Sequence, residues 1–182
     1  QDIDRTSYNG LHGLGEIISA RTTARVRGVV SLNPDTDNLD FYPVIYWPMA
    51  GRQLTLTAAH NIQNYLNQGG IILFDTRDRQ FGGDTQKSST PGARKLRDLT
   101  KNLDIPELEE APKEHILRRS FYLLEDFPGR YEGGKLWVEK EPNPRHDSIT
   151  SVIIGANDWA AAWSRDPGDQ SRFMIEPGGE HQ

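Results

Sequence analysis

The apolar residues Tyr8, Leu11, Leu14 and Ile18 recur at helical spacing near the start of the chain. Ser7 or Asn9 stands ready as a cap, so the pattern predicts a helix. Gly10, Gly13 and Gly15 within it lower its intrinsic propensity and imply close approach by a neighbour. Val26 to Leu32 then reads as a short strand, and Asn33-Pro34-Asp35 with the polar residues to Asp40 as a turn-rich connection. The segment 41–48, FYPVIYWP, is aromatic and β-branched between prolines. That composition predicts a first central strand, buried on both faces.

From Thr55 to Asn67 the period changes to 3.6, with Ala59, Ile62 and Leu66 on one face and Gly69-Gly70 as the stop. Ile71-Ile72-Leu73-Phe74 follows as an unbroken apolar run. Strand, helix and strand in this order make a parallel βαβ unit, and the α/β fold class rests mainly on it. The long polar stretch DTRDRQFGGDTQKSST (75–90) comes next, then Thr90-Pro91 opening a helix with Ala93, Leu96, Leu99 and Leu103. Farther on, Ser120 to Leu124, Leu136 to Glu139 and Ser151 to Ile154 read as short strands. Gly155 turns the last of these into a helix at Asn157 that carries Trp159 and Trp163 one turn apart. Residues 176–181 read as loop.

Composition narrows the chemistry. A chain of 182 residues suits a single domain, and a domain of that size buries roughly 70% of its unfolded surface without needing disulfides or metal. It contains no Cys, which excludes thiol nucleophiles and Cys-based zinc or redox sites. A net charge of −5 and a pI near 5.5 argue against sequence-independent binding of nucleic acid or anionic membrane. No apolar run approaches the roughly 20 residues that span a bilayer, and QDIDRTSYNG has neither the basic nor the apolar part of a signal peptide. Of the five histidines, His12, His60, His115, His146 and His181, none shows the spacing of a zinc helix, and no nucleophile elbow is present.

In open parallel sheets ligands bind beyond the carboxyl ends of the strands, so two strand exits carry the candidate site. Asp75-Thr76-Arg77-Asp78 leaves the sheet with two carboxylates and a guanidinium, a set able to grip a polar ligand or coordinate a cation. The alternative is structural, with Asp75 capping a turn and Arg77 paired to Asp78 at the surface. At the second exit Asn157 reads as an N-cap and Asp158 as a first-turn carboxylate, where ordinary capping explains both. No cofactor is implied by any of these residues. A small polar ligand or a protein partner stands open, as does a hydrolase holding a metal on the same carboxylates. An assembly domain using exposed aromatics such as Tyr131 or Trp137 is the third reading.

The stretches FYPVIYWP (41–48), NYLNQGGIILFDTRD (64–78), SFYLLEDFPGRY (120–131) and IIGANDWAAAW (153–163), with the opening YNGLHGLGEIISARTT, resemble a bacterial domain-of-unknown-function family, the one numbered 4159. The resemblance spans nearly the whole chain. It implies a mainly parallel central sheet flanked by helices, in the three-layer manner of flavodoxin-like and class I glutamine amidotransferase-like domains. By that analogy Asp75-Thr76 falls at the nucleophile turn, and Asp75 in place of Cys implies loss of amidotransferase chemistry. It further implies a non-catalytic binding domain of an envelope-associated bacterial protein, whose longer parent is membrane-anchored or exported. Such domains usually continue past Gly-Gly-Glu, so residues 1–182 are expected to be one α/β domain excerpted from a longer chain.

Overall fold

The computed structural model describes residues 2–50, 53–81, 90–119, 125–127, 129–141 and 149–165. The expected strand at Ser120 to Leu124, the loop at 176–181 and both His146 and His181 lie outside them. Among the described residues five helices and five strands form an α/β domain around one mixed sheet, ordered β1-β2-β5-β4-β3.

Helix α1 (Ile3–Arg21) starts earlier than the apolar pattern indicates, because Asp2 is the residue that caps it, accepting from the Arg5 N–H at 3.2 Å. Neither Ser7 nor Asn9 is a cap; both are inside the helix. The expected strand at Val26 to Leu32 is extended chain without a ladder, and Leu39–Phe41 forms a 3-10 turn before strand β1 (Val44–Pro48). Helix α2 (Leu56–Asn67) is capped by Thr55, whose hydroxyl accepts from the Ala58 N–H at 3.0 Å. Strand β2 (Ile71–Asp75) pairs with β1 in parallel, Tyr46 opposite Leu73 and Pro48 opposite Asp75, so the predicted βαβ unit is present.

One expectation about the sheet is corrected and a second is refined. Among the described residues strand β1 is outermost, not central, with Val44 exposed and the rest half-buried. Prolines at 43 and 48 fit that place, since an outermost strand has one side on which an N–H is not needed. The sheet is mixed and not purely parallel. Strand β5 (Val152–Gly155) runs parallel to β2, but β4 (Trp137–Glu139) is antiparallel to both β5 and β3 (Leu108–Glu110). Two helices complete the set, the short α4 (Ile116–Arg119) after β3 and α5 (Trp159–Trp163) after β5. Because β4 runs against both neighbours, β3 again runs with β5, and four of the five strands point the same way.

Alternation along the strands sends side chains to two faces. Ile45, Trp47, Ile72, Phe74, Val152 and Ile154 pack against α2 and α3 (Pro91–Thr100), where Ile62, Tyr65, Leu96 and Leu99 are buried. Leu73, Ile153 and Val138 face the other way, onto Trp159 and Trp163 of α5. The result is three layers, with α1 set against α5.

The glycines of α1 explain that last contact. A methyl group at Gly10 would run into the backbone of Ala160, and one at Gly13 into the carbonyl of Trp163. The helix gives up propensity, about 1 kcal/mol per glycine, for backbone contact that a side chain would prevent. Gly10→Ala is therefore expected to destabilise the fold by about 1–3 kcal/mol, the reverse of the usual gain from Gly to Ala in a helix, as read by urea unfolding. A neutral or stabilising effect would mean α1 does not sit against α5 in solution.

Candidate functional site

All six residues proposed at the two strand exits, Asp75, Thr76, Arg77, Asp78, Asn157 and Asp158, are between 0 and 6% exposed. Parallel pairing of β2 with β5 sets Asp75 opposite Gly155 and brings the exits together. The Thr76 N–H donates to the Gly155 carbonyl at 2.8 Å and the Arg79 N–H to that of Ala156 at 3.2 Å, continuing the contact past the strands.

Asp75 is the hub. Its Oδ1 accepts the N–H of Arg77 at 3.0 Å and of Asp158 at 3.3 Å; its Oδ2 accepts the Tyr46 hydroxyl at 2.8 Å and the Trp159 N–H at 2.9 Å. One carboxylate thereby ties its own turn, the neighbouring strand β1 and the entry to α5. Burial pushes its carboxyl up to about 6; the Tyr46 hydrogen bond pulls the other way and the nearby Asp158 charge adds to the rise. Burial, with the charge of Asp75 behind it, likewise raises the Tyr46 phenol well above its ordinary value.

Arg77 does not pair with Asp78. Its Nε donates to Asp158 Oδ1 at 2.8 Å, and both residues are buried. Burial by itself would lower the guanidinium, but Asp158 more than offsets it and raises it. Arg130, which extends over the Tyr131 ring, meets the other oxygen of Asp158 at 3.3 Å. Arg77 and Asp158 have φ of 59° and 49°, the positive values among described non-glycine residues. Such backbone costs on the order of 1–3 kcal/mol, and here the two strained corners are joined by their own ion pair.

Asp78 serves helix α3. Its carboxylate accepts from the N–H groups of Gly92 at 2.8 Å and Ala93 at 3.0 Å and from the Thr90 hydroxyl at 2.7 Å. The predicted cap Thr90 thus makes no side-chain cap bond of its own; it relays to the carboxylate that does. Gly92 leaves room for this, since a Cβ there would strike the Thr76 carbonyl and the Asp78 oxygens. Asn157 is not an N-cap. Helix α5 begins at Trp159 with Asp158 in the capping position, while the Asn157 amide donates to the carbonyls of Phe127 at 3.2 Å and Tyr131 at 2.7 Å.

Two buried polar atoms in this cluster, Thr76 Oγ1 and Asn157 Oδ1, have no hydrogen-bond partner among the described residues. Among those residues, too, no group of three His, Asp or Glu side chains is placed to hold a metal ion. Tyr131 and Trp137 are half-buried, not exposed. Tyr46 and Arg130 were not among the residues singled out from sequence. The one available signal was that Tyr46 stands two positions before the end of a strand and carries a polar handle on an aromatic ring.

Fold and site together define an α/β domain whose strand exits are closed by an internally bonded polar cluster. The chain belongs to the family described as Domain of unknown function (DUF4159), whose model matches residues 1–180. No curated protein matches it significantly. No helix among the described residues is long and apolar enough to cross a membrane.

Proposed function

We propose that this domain is a non-catalytic binding module, in which Asp75, Arg77, Asp78 and Asp158 build the floor and Thr76 and Asn157 meet a small polar ligand. The observation that carries the reading is the contrast within the cluster. The carboxylates are already committed to protein donors, whereas Thr76 Oγ1 and Asn157 Oδ1 are buried with no partner among the described residues. A buried polar atom without a partner costs about 1–3 kcal/mol, a cost that binding of a hydroxyl- or amide-bearing ligand would remove. The same commitment weighs against metal-assisted hydrolysis, which needs carboxylate oxygens open to an ion. The order of α2, Gly69-Gly70, β2 and polar turn supports a class I glutamine amidotransferase-like frame without its nucleophile. The family resemblance is the support for a parent protein in the bacterial envelope.

Thr76→Val tests the module. Valine keeps the shape and deletes the hydroxyl, so the free protein is expected to gain about 1 kcal/mol, roughly 2–4 °C in melting temperature for a domain of this size. In a thermal-shift screen of sugars, amino-acid amides and nucleotides, compounds that stabilise the wild type should then lose their effect on the variant. A variant less stable than the wild type, or one that responds to the same compounds equally, would show that the hydroxyl serves the fold and not a ligand.

A further inference from the structure

The extended segment after α1 carries an inference of its own, on residues that take no part in the polar cluster. Residues 26–32 have the β-branched composition of a strand, with Val26, Val29 and Val30. Yet from Arg27 to Leu32 the backbone makes no hydrogen bond to any described residue, and Val26 reaches only the Ser19 hydroxyl, at 3.3 Å. The segment is held in place from its two ends, by Val26 against Gly15 of α1 and by Leu32 against the main hydrophobic core. Between them Val30 is 58% exposed. Six consecutive residues whose donors and acceptors meet no described residue are the length of an ordinary strand, and such a row is a template for another chain.

Charge decides what chain it fits. Arg25 and Arg27 are exposed, make no ion pair among the described residues, and follow Arg21 at the end of α1. Two apart on extended backbone, Arg25 and Arg27 project to the same side. Arg21, Arg25 and Arg27 put three cations within seven residues of a protein of net charge −5. We infer that residues 25–32 are a docking strand for an extended acidic segment of a partner protein, added by backbone pairing with Arg25 and Arg27 selecting its charge.

The test uses the full chain and a fluorescent peptide alternating glutamate and valine, titrated by anisotropy while amide hydrogen exchange is followed. The proposal expects saturable binding, weakened as ionic strength rises from ~0.05 to ~0.5 M, with Arg27 to Leu32 gaining protection in the complex. Arg25→Glu with Arg27→Glu should weaken binding about tenfold or more. Val29→Pro and Val30→Pro remove donors from opposite sides of the extended chain, so one of the two should abolish binding with the arginines intact. Circular dichroism and melting temperature check that each variant is folded. Four results would each overturn the inference: no binding at millimolar peptide, binding indifferent to both prolines, an oligonucleotide bound equally well without added protection, or amides at 27–32 already protected in the free protein, which would mean that the chain itself supplies the partner.

Discussion

Asp75→Ala is expected to lower the stability of the domain by at least about 3 kcal/mol, because it strands buried N–H groups of Arg77, Asp158 and Trp159 and the hydroxyl of Tyr46. A carboxylate kept for a ligand at the expense of the fold would behave in the opposite way, its removal leaving the protein at least as stable. Urea unfolding of the two proteins decides between them. The pH dependence adds a second readout. With the carboxyl pushed up to about 6 chiefly by burial, the folded state holds its proton more tightly than the unfolded chain, where Asp ionises near 3.9. The contribution of the group is therefore complete below about pH 4 and is lost as pH rises through about 6. Relative to Asp75→Asn, the wild type should lose roughly 2 kcal/mol between pH 4 and pH 7. A difference that stays flat or grows with pH would show that the four donors outweigh the cost of burial.

The ion pair between the strained corners gives the other large effect. Asp158→Ala removes the partner of a buried Arg77 and of Arg130, and breaking such a pair from one side typically costs about 3–5 kcal/mol. Arg77→Ala should cost a similar amount, and the double variant distinctly less than the sum, since the buried guanidinium and its carboxylate then leave together. The backbone adds a sharper contrast. At φ of 59° glycine is the comfortable residue, so Arg77→Gly should be about 1 kcal/mol more stable than Arg77→Ala although both delete the guanidinium. Equal stabilities would place the corner outside the left-handed region in solution.

Much of the architecture was legible in residue order. The periodicity change at Thr55, the Gly69-Gly70 stop and the run Ile71 to Phe74 identify α2 and β2 and hence their parallel unit, because burial on one helical face and on both faces of a strand leaves that imprint. The glycines of α1 announced a close neighbour, though not that it would be α5. Val26 to Leu32 and the segment 41–48 mislead for one shared reason: composition records what suits a strand, whereas ladder partners and sheet position depend on chain segments far away. Nothing local in Leu108–Glu110 or Trp137–Glu139 marks the first as an outer strand or the second as the reversed one.

The candidate site divides in the same way. Sequence alone determined which residues would stand at the two exits, since strand ends and the turns after them are encoded nearby, and it determined the absence of thiol chemistry outright. Only the tertiary structure decided their roles. Asp75 and Asp158 are 83 positions apart, Tyr46 lies on another strand, and Asp78 finds its partners at the start of α3. Whether a carboxylate is a free ligand or a buried acceptor is set by what surrounds it after folding. Local spacing places a side chain at the end of a strand; long-range packing removes the water around it and supplies the donors that take the water's place.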